Sequence, residues 1–546
     1  MLDNLNATVV VGVSTITATV GVGLFYMASK WAEGLYDNLW KNPTTECDID
    51  SFVSMSENPP NKLKVCLAHT LRMGSRTANT TTPIPLECTK SPHVKGLYVS
   101  RKVQLSSEQS SKNESEEMPT PLNDLLPRMT SDGKLDPTDR KKTVVVATIR
   151  MGFGHHRLAY SACSWALENG YRTIFHDLIN IESEESDLIH SMDSLYSKFS
   201  RLASELGGPI EKLWGSAMKQ GDADALRMAA LTAAHLQPLL LAYPKDIPLI
   251  TTHQLCALVA AAAGFTNVVN LVVDNYPQWF LVVPRTLNLT QGPVNYQSFL
   301  RMGVKPEELK LAGHWCPTEL VKNIPNDCKT RIQRATAKKP LRLLIPVGGA
   351  GAQKKFIGGM IQECESLLKS GKVQILLNAG DHAHMKTAFV QTLQECGIDY
   401  DTVATTQGVY DFQKNLLAGN EPSKNVTLFA FTEYFPAVAT TDILCRAADV
   451  LCCKPSELAF YPLPKLHIRR VGDHEADSAR RAAEAGDGSL EAREISDAKH
   501  LMELMLKTSD LVVSMNEAVI QNNTIGMYDG CKNSVAWAMK RYLVKK

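Results

Sequence analysis

The sequence predicts an α/β protein with two Rossmann-like domains facing a cleft, and three observations lead there. The stretch from Thr143 to Ile149 is a β-branched run, broken by Gly152 and Gly154 and followed by apolar residues at helical spacing from Leu158 to Leu167. The same strand-then-glycine device returns at LRLLIPVGGAGA, with Gly348, Gly349 and Gly351. Between and after these units, apolar strands alternate with helical stretches, the pattern of a parallel sheet in each half.

The bulk properties set the bounds. A chain of 546 residues, 44% hydrophobic and 21% charged, suffices for two or three globular domains. A net charge of +1 gives no reason to expect nucleic acid as a partner. The 13 cysteines are odd in number and scattered, without zinc spacing, which fits buried thiols in a reducing compartment and no metal site.

Residues 4–29 carry no charge, and Ala7 to Ala28 is long enough to cross a bilayer as a helix. Asp3 stands where a cleaved signal would need basic residues, and Lys30 follows the span. The expectation is a single-pass membrane anchor over 1–30 with the bulk of the chain on the cytosolic side. Residues 31–142 turn rich in Ser, Thr, Pro, Asn and Glu and read as a low-complexity tether, with local structure at most around Leu63 to Leu71 and Leu97 to Val103.

The first domain is expected over 143–313. RTIFHDL is a second strand ending at Asp177, and 184–236 is mostly helical, including the amphipathic IEKLWGSAMK from Ile210. PLITT delivers His253 at its carboxyl end, and VVNLVV delivers Asp274 in DNYPQWF. Ligands of open parallel sheets bind outside the carboxyl ends of the strands, so His155, His253 and Asp274 fall on one rim. His155 and His156 begin a helix, where an imidazole can serve as general base and helix amides can stabilise negative charge.

A linker near 314–339 leads to a second domain over 340–510, with strands VQILLNAG, VTLFAF and DVLCC. After the last of these, Glu457 begins a helix, where a carboxylate can accept both hydroxyls of a ribose. The tail over 511–546 is an amphipathic helix that packs back across the domains.

The order of these features resembles a GT-B glycosyltransferase, with the nearest likeness to monogalactosyldiacylglycerol synthases and to the lipid-linked N-acetylglucosaminyltransferase of peptidoglycan synthesis. GFGHHRLAYSA resembles the family's glycine–histidine turn, DNYPQWF its aspartate segment, VGGAGA its second-domain glycine loop, and CRAADVLCCKPSELAFYPLP its donor-site region. The resemblance implies an inverting transferase that takes a hexosyl group from a UDP-sugar to a membrane lipid acceptor, with no metal or cofactor. His155, His156 and Asp274 are then the catalytic candidates, with His155 preferred as base because it directly follows Gly154. Gly152, Gly154, His253 and Trp279 fall on the acceptor side. The donor side takes Gly348, Gly349, Gly351, Phe431, Lys454, Ser456, Glu457, His474 and Glu475.

One departure stands out. The family's second glycine-rich loop is shortened to Lys454-Pro455-Ser456, so the donor diphosphate must be met by Lys454 and the Gly349–Gly351 loop. That shortening supports an alternative, a non-catalytic membrane-tethered binding or scaffold protein of the same fold. An epimerase or hydrolase acting on a sugar nucleotide is a third reading, disfavoured by the membrane span.

Overall fold

The computed structural model describes residues 82–104, 118–131, 134–136, 138–139, 141–191, 233, 236–278, 281–349 and 351–544. The expected anchor over 1–30, most of the tether, the segment at Ile210 and Trp279 lie outside the described residues. Among the described residues no helix is long and apolar enough to cross a membrane.

The chain forms a mixed α/β fold on two sheets. The first is built from β1 (Leu86–Lys90), β2 (Leu97–Lys102), β3 (Thr120–Pro121), β4 (Thr143–Thr148), β5 (Arg172–Asp177), β6 (Leu249–Thr251), β7 (Val268–Leu271), β8 (Leu287–Thr290) and β9 (Leu309–Leu311). Its order is β3-β1-β2-β5-β4-β6-β7-β8-β9. From β2 to β9 every pairing is parallel, and only the β1 hairpin pairs are antiparallel. The second sheet runs β12 (Asp401–Val403), β13 (Val426–Ala430), β11 (Val373–Gly380), β10 (Leu341–Pro346), β14 (Val450–Cys453), β15 (Lys465–His467), all parallel. β4 and β10 are buried at every position, as central strands covered on both faces must be.

In each sheet the strand order reverses beside one central strand: between β4 and β6 in one, between β10 and β14 in the other. Such a reversal splays the following connections apart and opens a crevice at the carboxyl ends. The loops flanking the two reversals are those carrying His155 and His253, and those carrying Gly349 and Glu457.

The expected boundary at 143 is corrected. β1, β2 and β3 already belong to the first sheet, because Leu97, Tyr98 and Val99 pair in parallel with β5 and extend it by a strand. Cys88 and Leu97 are wholly buried, so this part of the expected tether has a core-facing side that its Ser- and Pro-rich neighbours conceal.

α1 (Gly154–Glu168) follows β4, α2 (Gln254–Ala262) follows β6, and α3 (Pro293–Arg301) follows β8. α4 (Thr318–Thr336) carries the chain to the second sheet, which is flanked by α5 (Lys354–Glu363), α6 (Tyr434–Leu444) and α7 (Ala476–Glu484). The tail forms two helices, α8 (Asp510–Thr524) and α9 (Gly530–Val544). α9 returns to the first domain: Asn267 Nδ2 donates to Ala538 O at 3.1 Å and Arg541 Nη1 to Val268 O at 3.1 Å. One apolar cluster runs from the first sheet through α1 to the inner face of α6, taking in Val438 and Phe429. The two sheets are thus joined by packing as well as by the linker.

Candidate functional site

The glycine turn after β4 is shaped by two different demands. Gly152 has φ 75°, a left-handed conformation that side chains disfavour. At Gly154 a Cβ would lie 3.1 Å from Glu457 Oε2 in the other domain, so any larger residue would have to push that carboxylate aside. On the facing loop, a Cβ on Gly349 would come within 2.3 Å of Phe153 N and 2.4 Å of Gly152 Cα. The two glycine loops therefore touch, rather than facing each other across a gap. Beside their contact lies a cavity of about 280 Å³, lined from both domains.

His155 lines that cavity. Its Nδ1 lies 2.7 Å from Thr252 O. A carbonyl only accepts, so Nδ1 carries the proton and Nε2 keeps its lone pair. Burial depresses the His155 pKa, while the Thr252 bond and the charges of Asp274 and Glu457 pull the other way. His253 packs against it with the rings tilted by 52° and their centroids 4.3 Å apart. His253 is also the N-cap of α2: its Nδ1 accepts from Leu255 N at 3.1 Å, which fixes its proton on Nε2. Burial, then the neighbouring His155, holds the His253 pKa well below the usual value. Asp274 lines the cavity, and its backbone oxygen is tied to Asn295 Nδ2 at 2.8 Å.

His156 does not join them. It turns into the core, where its Nε2 meets Asp177 Oδ2 at 2.9 Å and its ring packs edge-on against Phe175 and Tyr434. Adjacent residues near a helix start point about 100° apart, and the second one here faces the sheet.

From the second domain, Gly348, Gly349, Lys454, Ser456, Glu457, His474 and Glu475 line the same cavity. Lys454 Nζ pairs with the Glu475 carboxylate, whose Oε2 also accepts Val471 N at 2.8 Å and Gly472 N at 3.3 Å. Burial pushes Glu475 up, but Lys454 and His474 more than offset it, and its pKa falls below the usual carboxylate range. His474 Nδ1 is buried without a partner. Gly351 sits behind the lining, where its carbonyl accepts from His384 Nε2 at 3.0 Å; His382 Nε2 donates to Gly348 O at 3.1 Å. Phe431 is a core residue, 8% exposed, whose N–H bonds Gly380 O at 2.9 Å. It belongs to the packing and not to the cavity.

Glu457 differs most from expectation. Its Oε1 takes a hydrogen bond from Arg157 Nη1 at 2.7 Å. The same guanidinium lies 2.9 Å from Asp442 Oδ1 and donates to Val438 O at 3.2 Å. Burial raises the Glu457 pKa, and Arg157 and Lys454 together bring it below the usual value. Arg157 and Asp442 are absent from the sequence-based candidates. The one signal was an arginine among small and apolar residues on the helix face that the spacing assigns to the core. His382, His384, Gln254 and Gln353 are further polar residues at the loops that no motif marked. Among the described residues, no group of three or more His, Cys, Asp or Glu side chains is placed to hold a metal ion.

Two sequence families match in succession: residues 95–301 match "Domain of unknown function (DUF6937)" and residues 304–539 match "Domain of unknown function (DUF6938)". No curated protein matches. Among solved structures, the UDP-GlcNAc 2-epimerase of Neisseria meningitidis bound to UDP-GlcNAc is similar at 12% identity, covering 73% of this chain and 100% of that one, with a TM-score of 0.42. The putative UDP-N-acetylglucosamine 2-epimerase of Listeria monocytogenes is similar at 11% identity over 71% and 94%, TM-score 0.38. The glycosyltransferase VinC in complex with DTDP is similar at 12% identity over 73% and 99%, TM-score 0.37. At these scores they add nothing to the sheet order, which rests on its own strand pairings.

Proposed function

We propose that the protein is an inverting glycosyltransferase that moves a hexosyl group from a UDP-sugar to a hydroxyl of a membrane lipid acceptor. The observation that carries this reading is the state of His155. An imidazole held as the Nδ1–H tautomer, with a depressed pKa and a free Nε2 on the cavity, is equipped to take a proton at neutral pH. In this mechanism Nε2 removes the acceptor hydroxyl proton as that oxygen attacks the anomeric carbon from the face opposite UDP. Asp274 steadies the imidazolium that forms. Lys454 and the Gly348–Gly349 amides meet the diphosphate, and Glu457 receives the ribose. The lipid acceptor and the cytosol-facing anchor over 1–30 come from the sequence pattern and its resemblance.

A second reading, a non-catalytic binding or scaffold protein, is favoured by the Arg157–Glu457 pair, because the carboxylate meant for the ribose is already engaged. One experiment separates them. Purified protein is titrated with UDP by calorimetry and then assayed for transfer or hydrolysis with a panel of UDP-sugars. Glu457→Ala is expected to weaken UDP binding by about 1–3 kcal/mol, the scale of hydrogen bonds to a charged group. UDP binding without turnover supports the scaffold. Release of an altered sugar without acceptor supports an epimerase or hydrolase, and no UDP binding rejects the donor site. Removal of residues 1–30 is expected to release the protein from membranes with UDP binding intact.

A further inference from the structure

Among the described residues, Arg481, on α7, is a buried cation without a counter-ion. Its residue is 9% exposed, and among the described residues its Nε has no partner and its one polar contact is Nη2 to the Met527 sulfur at 3.7 Å. The carboxylates whose charge it feels are committed elsewhere. Asp487 pairs with Lys465 at 2.8 Å and accepts from Tyr528 OH at 2.7 Å, and Glu484 pairs with Arg480 at 3.3 Å. A guanidinium removed from water with no anion beside it is costly, and an arriving anion would relieve that cost.

The guanidinium is aimed at the start of α3 in the other domain. Gly292 is the N-cap of α3, with Pro293 following and no side chain capping the helix amides. A Cβ on Gly292 would stand 3.1 Å from Arg481 Nε and 3.4 Å from Asn275 Oδ1. Its φ of −138° suits any residue, so glycine at this position relieves no strain and instead lets the guanidinium come close to the helix start. Around that contact, Asn275, Gln291 and Asn295 are 5%, 2% and 1% exposed. Each is anchored through its amide nitrogen, to Asp477 O, Val273 O and Asp274 O respectively. Each leaves its amide oxygen buried and unpartnered. Cationic and amide donors thus sit beside three open acceptors, next to Asp274 of the cavity.

We propose that Arg481, Asn275 and the N-terminus of α3 form a subsite for an oxyanion carried beside hydroxyl groups, such as a phosphorylated polyol portion of the acceptor. The guanidinium fork and the α3 amides take the oxyanion, and the amide oxygens accept the hydroxyls. The assignment to the acceptor rests on the glycosyltransferase reading; the anion site itself does not.

The test is calorimetric titration of the full chain with inorganic phosphate and with glycerol 3-phosphate at fixed ionic strength. The parent should bind both, glycerol 3-phosphate the tighter. Arg481→Gln should weaken both by at least about 10-fold, the loss of a charge-assisted hydrogen bond, with UDP affinity unchanged and thermal stability equal or higher. Gly292→Ala presses a methyl against the guanidinium while keeping the cation, and should also weaken phosphate binding; it carries the test if Arg481→Gln does not fold. Phosphate binding that survives both changes, or that disappears in Lys454→Ala and persists in Arg481→Gln, places the anion on the donor loop and overturns the subsite. So does a parent that binds neither probe. Absence of UDP binding with Arg481-dependent phosphate binding would remove the glycosyltransferase reading and leave the subsite standing.

Discussion

Arg157 Nη1 in the first domain donates to Glu457 Oε1 in the second at 2.7 Å, joining residues 300 positions apart. The Arg157 side chain is 2% exposed, and Asp442 lies on its other edge at 2.9 Å. Burial works against the charge, but the two carboxylates outweigh it and raise the Arg157 pKa. Arg157→Met should therefore leave two carboxylates buried without their cation, at a cost of about 3–5 kcal/mol in urea unfolding. A loss under about 1 kcal/mol would mean that water replaces the arginine and the pair does not hold the domains together.

The paired histidines should separate cleanly. His155→Ala is expected to lower the transfer rate by about 10²–10⁴-fold, the usual contribution of a general base, with UDP affinity and thermal stability near the parent's. His156→Ala should act mainly on stability, by about 2–3 kcal/mol, because Asp177 loses a buried charged-group hydrogen bond. Steady-state rates and melting curves for both variants decide it. The reverse pattern would move the base to His156.

Contact between the glycine loops gives a third prediction. Gly349→Ala places a methyl within 2.4 Å of Gly152 Cα, so the loops must part. Overpacking of this kind costs about 1–3 kcal/mol. The thermal midpoint should fall, and UDP affinity should change with it because the same loop borders the cavity. An unchanged midpoint would show that the two loops part freely in solution.

Stability should also decline in mild acid. Burial lowers the pKa of His176 and of His467 to about 4 from an ordinary 6.5. Between those values the unfolded chain binds protons that the folded one refuses, so stability is full above pH 6.5 and is lost as pH falls toward 4. The loss is on the order of 3 kcal/mol for each histidine. Asp442 opposes it: burial raises its pKa to about 6, so the folded state holds that proton between about pH 4 and 6 and is favoured there. Two histidines outweigh one carboxyl. Urea midpoints measured from pH 7 to 4 should fall, less steeply in His467→Gln and more steeply in Asp442→Asn. A flat profile in the parent would mean that the histidines reach water when protonated.

Much of the cavity's lining was legible in the sequence. The carboxyl ends of parallel strands share one edge, so His155, His253 and Asp274 could be placed together from three short apolar runs. Gly348, Gly349, Lys454, Ser456, Glu457, His474 and Glu475 reach the same cavity because both sheets reverse strand order at the loops that bear them. His156 could not be told from His155 by position alone. The difference lies in Asp177 and Phe175, which reach it from the neighbouring strand.

The sequence by itself determined the two parallel α/β units, their glycine turns and the histidine that begins α1, because hydrophobic period and glycine placement are local properties of the chain. Only the tertiary structure decided that Arg157 would neutralise Glu457 and Asp442, that Gly349 would rest on Gly152, that β1 and β2 would extend the first sheet, and that Arg481 would be buried against Gly292. Each of these joins residues far apart in sequence. Ion pairing and close packing depend on distance in space, which no spacing along the chain encodes.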